Sequence, residues 1–205
     1  MQRILSGPIL TREDIPSTIS PLLKDVTSVF NPGAAKVFDG YFLMLRVQNR
    51  GRRTFFLGAD STDGVNFCVR DHLIEIIGIP TSPKVYHCYD PRVTTMTDEP
   101  GYIIIFAMDC EDGCHLGVVR SLDLRIFQWV GWEINVNSRN GVMFPHKIGG
   151  KYARLERPNN KIVLDGPKSG DAIVYSVSDD LISWQQLYEV CTGNRCFWDE
   201  YIGTC

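Results

Sequence analysis

The chain has 205 residues, 44% of them hydrophobic and 22% charged, an ordinary globular composition with length enough for a sizeable core. A formal net charge of −3 and a pI near 5.8 argue against nucleic acid or an anionic membrane surface as the main partner. No apolar run approaches the ~20 residues of a membrane span. The start, Met1-Gln2-Arg3-Ile4, lacks the apolar centre of a secretory signal, so the expected compartment is the cytoplasm.

Residues 1–30 read as a lead-in: Thr11-Arg12-Glu13-Asp14 resembles a helix cap or turn, and Pro21 interrupts any long helix. From residue 31 to 205 the pattern is all-β and is expected to form one domain. Tyr41–Val47 and Thr54–Ala59 are rich in β-formers and flank an Asn49-Arg50-Gly51-Arg52 turn. A second pair, Tyr102–Ala107 and Leu116–Val119, flanks Asp109–Gly113. A third is expected from Tyr152–Leu155 and Ile162–Leu164, followed by Ala172–Tyr175.

A phrase of the form Ser-x-Asp-x-x-x-aromatic follows each pair. It runs from Ser61 to Phe67, from Ser121 to Phe127 and from Ser178 to Trp184, with spacings of 60 and 57 residues. A fixed period in an all-β chain is the signature of a stacked or radial array. Four-stranded blades of a β-propeller match this period. The aspartate is expected to close the turn and the aromatic to fill the space between blades. The strands account for about three and a half blades, fewer than the four or more that close a propeller. The ending Trp198-Asp199-Glu200-Tyr201-Ile202-Gly203-Thr204 reads as entry to a further blade.

Seven cysteines stand at 68, 88, 110, 114, 191, 196 and 205. The run Cys110-Glu111-Asp112-Gly113-Cys114-His115 invites a metal reading. A zinc site needs about four spaced ligands, and no second half follows in the sequence, so no metal is expected. Reduced, mostly buried thiols are the expectation.

The densest chemistry lies at Tyr89-Asp90-Pro91-Arg92-Val93-Thr94, before the strand-like run from Tyr102. Pro91 is expected to push Asp90 toward an extended conformation. Two readings stand: a turn in which Arg92 pairs with Asp90, and a pocket placing one carboxyl group. Phe30-Asn31-Pro32-Gly33-Ala34-Ala35 and Ser138-Arg139-Asn140-Gly141-Val142-Met143 hold corresponding places before strands of the first and third pairs. In a propeller these three segments converge. Arg46 sits inside an apolar strand, where an unpaired cation would cost several kcal/mol. With Arg139 and Arg157 it makes an arginine set suited to phosphate; the alternative is core ion pairing with Asp39, Glu156 or Asp90.

Together with Leu45-Arg46-Val47, Asp63-Gly64-Val65-Asn66-Phe67, Arg139 through Tyr152 and Leu155-Glu156-Arg157-Pro158, these motifs resemble glycoside hydrolase family 130. Its members are β-mannoside phosphorylases with five-bladed propellers. The resemblance implies inverting phosphorolysis of a β-mannoside to α-mannose 1-phosphate and a shortened sugar. It implies Asp90 as proton donor, acting through a sugar hydroxyl. It assigns Arg46, Arg139, Asn140 and Arg157 to phosphate, and Asn31, Tyr89 and Arg92 to the sugar site. No cofactor is implied, inorganic phosphate being a co-substrate, and members often form homo-oligomers. An inverting hydrolase needs a second carboxylate to activate water; phosphate is already a nucleophile, and arginines position it. The alternatives are a hydrolase of the same fold and a non-catalytic sugar-binding remnant. The family often carries Glu at the place of Gln48, and members extend beyond residue 205.

Overall fold

Alternating apolar residues and tight turns build this protein from hairpins. In the computed structural model, residues 7–133, 136–160, 170–193 and 202–204 are described. Strand β1 (Val26–Val37) pairs antiparallel with β2 (Gly40–Asn49), β2 with β3 (Thr54–Ser61), and β3 with β4 (Cys68–Leu73). A second sheet holds the meander β6 (Val85–Thr95), β7 (Tyr102–Cys110), β8 (Gly113–Ser121) and β9 (Phe127–Trp132). Its β9 edge takes the short β5 (Ile76–Ile77) in parallel. The third sheet is β10 (Ser138–Met143), β11 (Tyr152–Pro158), β12 (Ala172–Ser178) and β13 (Gln185–Thr192). The all-β expectation is met. Among the described residues no helix is long and apolar enough to cross a membrane.

The chain divides into two compact units. One comprises Met1–Glu75 with Tyr89–Pro91, the other Ile76–Cys88 with Arg92–Cys205. In the first unit, Leu45, Val47, Leu57 and Ala59 of the sheet are covered by Ile15 and Leu23. The lead-in is thus held by burial of apolar surface, at about 25 cal/mol per Å² removed from water. Two short 3₁₀ turns, Arg12–Asp14 and Pro21–Leu23, shape it. Asp14 accepts from the Thr11 amide at 2.7 Å, which closes the expected cap. The 30/31 boundary read from the sequence falls inside β1. In the second unit, Ile103, Ile105, Leu116 and Val118 of the second sheet meet Met143, Tyr152 and Trp184 of the third-sheet region.

The repeated phrase forms the same turn three times, each between the third and fourth strands of a meander. The aspartate Oδ1 accepts from two backbone amides: Val65 and Asn66 at 2.8 and 2.7 Å, Arg125 and Ile126 at 2.8 and 3.0 Å, Ile182 and Ser183 at 2.8 and 2.8 Å. The serine hydroxyl accepts from Gly64, Leu124 and Leu181 amides at 2.9, 2.8 and 2.9 Å. These three residues share a left-handed backbone, with φ of 74°, 57° and 68°. Leu124 and Leu181 adopt it with buried side chains. Phe127 and Trp184 are buried, whereas Phe67 is half-buried against the first unit's core.

Several expectations change. The segments Phe30–Ala35, Tyr89–Thr94 and Ser138–Met143 do not precede strands; they lie within β1, β6 and β10. Asn, Pro and Gly hid their strand character; in β1 and β10 a shift of register accommodates residues that a regular ladder rejects. The hairpin partner of β11 is β12, through Leu155 opposite Tyr175. The expected partner, Ile162–Leu164, lies outside the described residues, as do Trp198–Tyr201, Cys196 and Cys205. Among the described residues Cys68, Cys88, Cys110, Cys114 and Cys191 are thiols, with Cys110 and Cys114 buried. Burial foremost pushes the Cys88 and Cys110 thiols up to about 12 in the absence of a bound cation.

Candidate functional site

Each meander carries an irregularity at the same place in its first strand. Asn31 in β1, Asp90 in β6 and Asn140 in β10 have φ of 43°, 52° and 55°. The pairing register shifts between Phe30 and Gly33, and again between Arg139 and Val142. Asn and Asp enter the left-handed region more readily than most residues, because their short polar side chains bond locally. Asp90 is therefore not extended, as the proline rule had it. Its conformation is held by two hydrogen bonds instead of by the preference of a residue before proline.

Those two bonds lie within the first unit. Arg46 Nη1 donates to Asp90 Oδ1 at 2.7 Å, and Asn31 Nδ2 donates to the same oxygen at 2.9 Å. The guanidinium lies 4.2 Å from the Phe30 ring centroid and 4.8 Å from that of Tyr89. Two aromatic faces fix its plane by cation–π attraction. The Arg46 and Asp90 side chains are 17% and 20% exposed, so the pair is partly desolvated and open to a small ligand. Arg46 Nε is buried and has no acceptor among the described residues. Both bonds to Asp90 fall on Oδ1, which leaves Oδ2 as the oxygen able to carry a transferable proton.

The second unit gathers the remaining candidates. Arg139 and Arg157 stand opposite each other in the β10–β11 ladder. Arg139 Nη2 lies 3.4 Å from Asp109 Oδ1, while Arg157 donates to the Ile202 carbonyl at 3.2 Å and to Asn159 Oδ1 at 3.4 Å. Arg92 Nη2 donates to the Thr204 carbonyl at 3.1 Å, and the Thr204 hydroxyl donates to the Asn140 carbonyl. Arg92, Asn140 and Arg157 thus meet on residues 202–204. The Asp90 carboxylate is taken by Arg46.

Sequence reasoning missed two features. Phe30 supports the Arg46 plane, a role that its place in the Phe30–Ala35 motif does not reveal. A second, more deeply buried ion pair is made by Arg154, three residues before the candidate Arg157 on the same strand. Its Nη2 reaches Glu156 at 2.8 Å and Glu133 at 3.0 Å. Strand alternation from Tyr152 would have placed Arg154 on one face with Glu156, away from Leu155 and Arg157.

Comparison with known proteins bears on this arrangement. The chain is 28% identical over 192 residues to 4-O-β-D-mannosyl-D-glucose phosphorylase of Bacteroides fragilis, covering 85% of this chain and 47% of that protein. It is 24% identical over 208 residues to β-1,4-mannooligosaccharide phosphorylase of Ruminococcus albus, covering 97% and 57%. The chain therefore spans about half the length of the curated relatives it matches. Its fold is similar to that of β-1,2-mannobiose phosphorylase from Listeria innocua, solved with β-1,2-mannobiose. The TM-score is 0.70 at 19% identity, over 86% of this chain and 62% of that one. The match to the family described as β-1,4-mannooligosaccharide phosphorylase runs over residues 4–204, and the chain belongs to that family, glycoside hydrolase family 130.

Proposed function

We propose that the protein catalyses inverting phosphorolysis of β-mannosides, releasing α-mannose 1-phosphate and a shortened sugar. Family membership and the names of both curated relatives support the reaction class. The single observation that carries the residue assignment is the triad of Asp90, Arg46 and Asn31. One carboxylate oxygen is fixed by two donors and the other is left for proton transfer.

In this reading Asp90 Oδ2 delivers a proton through a sugar hydroxyl to the glycosidic oxygen as the bond to the anomeric carbon breaks. Phosphate attacks that carbon from the opposite face, so the configuration inverts. Arg46, Arg139, Asn140 and Arg157 hold the phosphate, which replaces the base-activated water of an inverting hydrolase. Asn31, Tyr89 and Arg92 serve the sugar site, and Asn31 also orients Asp90. Inorganic phosphate is the co-substrate and no cofactor takes part. The three meanders are read as three blades of a five-bladed propeller working in the cytoplasm.

Asp90→Asn tests the assignment. The amide keeps the shape and an acceptor for Arg46 but cannot donate the acid proton. A positioned acid contributes typically 10²- to 10⁴-fold, so kcat should fall by about that factor with the far-ultraviolet circular dichroism unchanged. Turnover within threefold of the parent would remove Asp90 from the acid role.

A further inference from the structure

We propose that the β7–β8 turn binds a divalent transition metal, zinc fitting best, between Cys110 Sγ, an Asp112 carboxylate oxygen and His115 Nε2. The sequence offered these residues in a run without a second half. Folding supplies the missing argument, because the hairpin register brings the run into one cluster. Cys110 stands opposite Gly113 and Met108 opposite His115, so alternation puts Cys110 and His115 on the same face of the hairpin. One ligand atom from each of the three residues lies within 4.8 Å of the others.

The imidazole carries the second argument. His115 Nδ1 lies 3.3 Å from the Val136 carbonyl, and Nε2 lies 2.9 Å from Asp112 Oδ1. Both oxygens only accept, whereas a neutral imidazole has one N–H to give. With Nδ1–H given to the Val136 carbonyl, the Nε2 lone pair and the Asp112 carboxylate face each other and can share one metal cation. Donation of Nδ1–H to a backbone carbonyl is the arrangement that metal-bound histidines adopt, since it fixes the tautomer and raises ligand basicity. His115 is 3% exposed and its ring packs on Trp132 with centroids 5.8 Å apart, so its orientation is set before any ion arrives.

The donor set selects the metal. One sulfur, one imidazole and one carboxylate suit zinc and its neighbours; calcium and magnesium require oxygen ligands in larger number. Zinc bonds of about 2.0 to 2.3 Å give tetrahedral ligand separations of about 3.3 to 3.6 Å. Asp112 has to open slightly and Cys110 to close slightly, both within the reach of side-chain rotation at a turn. Cys110 gives up its proton to the incoming dication, as metal-bound thiols do. Asp112 is exposed, so the fourth position faces solvent and takes water. No step of the proposed phosphorolysis uses these residues, so the two readings stand or fall separately.

The test is zinc binding by the reduced protein after dialysis against a chelator. The expected result is one equivalent of zinc retained through gel filtration. Cobalt should give an intense near-ultraviolet thiolate-to-metal charge-transfer band. Cys110→Ser should abolish that band, and exposed Asp112→Asn, which leaves the core untouched, should weaken zinc at least tenfold. His115→Gln is the less useful variant because the ring is buried. Failure to retain zinc would overturn the proposal. So would an equivalent held undiminished by both Cys110→Ser and Asp112→Asn, which would place the ion elsewhere, or cobalt binding without the charge-transfer band.

Discussion

Arg154 provides a quantitative test of how the second unit is held together. Its side chain is 1% exposed and Glu156 is fully buried. Arg154 Nη2 bonds Glu156 at 2.8 Å and Glu133 at 3.0 Å, while the Ser176 hydroxyl donates to Glu156 at 2.5 Å. The guanidinium carbon lies 3.9 Å from the Trp184 ring centroid. Arg154→Met keeps most of the volume but leaves Glu156 as a buried carboxylate held only by a hydroxyl. Breaking a buried pair in this way costs about 3 to 5 kcal/mol, a large share of a typical total of about 5 to 15 kcal/mol. Because the penalty comes from the orphaned charge, adding Glu156→Leu should return about 2 kcal/mol or more. Burial, the foremost cause, raises the Glu133 pKa, and Arg154 opposes that rise. A folded pKa above the unfolded one favours the fold at low pH, a contribution lost as pH rises through the folded value. Arg154→Met should accordingly be less damaging at pH about 5 than at pH about 8. Urea unfolding followed by tryptophan fluorescence measures all three quantities. A cost below about 1 kcal/mol for Arg154→Met, or a double variant no more stable than the single one, would refute the reasoning.

Two further predictions concern the turns. Hydrogen bonds from backbone amides, foremost those of Asn66, Ile126 and Ser183, hold Asp63, Asp123 and Asp180 below the usual carboxylate range. Depressed folded pKa values give stability that is present above about pH 4 and lost as pH falls through the folded values. Asp180→Asn should flatten the acid limb of a plot of Tm against pH; a curve parallel to the parent's would contradict this. Gly40 has φ of 154° and an added Cβ would run into the Ser61 carbonyl oxygen. Gly40→Ala should therefore cost about 2 kcal/mol or more in urea unfolding. A change below about 0.5 kcal/mol would show that the β2 start can shift freely.

The all-β class and the repeat were legible because strand alternation and the Ser-x-Asp turn are local. Ser61, Ser121 and Ser178 bond residues no more than three positions away, so the sequence window contains the whole interaction. The first strands of the meanders were hidden because Asn31-Pro32-Gly33, Asp90-Pro91 and Asn140-Gly141 are written in turn residues. Only long-range pairing, such as Phe30 with Arg46, shows that the first and third of these are register shifts within strands. For the same reason, proline chemistry gave the wrong backbone for Asp90: contacts from residues 59 and 44 positions away override a neighbour's preference. The role of Arg46 was readable from its cost in an apolar strand, and Asp90 was one of three partners the sequence offered; only the folded contact singles it out. Cys110 and His115 were visible as ligand types, whereas the carbonyl of Val136 that orients the ring comes from 21 residues downstream.

The central claim is phosphate-dependent cleavage of a β-mannoside, and product identity tests it most directly. The protein is incubated with β-1,4-mannosyl-glucose with and without inorganic phosphate, and both mannose 1-phosphate and free mannose are assayed. The account predicts α-mannose 1-phosphate in the sample with phosphate and no cleavage in the other. Free mannose appearing equally in both samples would contradict it, since water and not phosphate would then be the nucleophile.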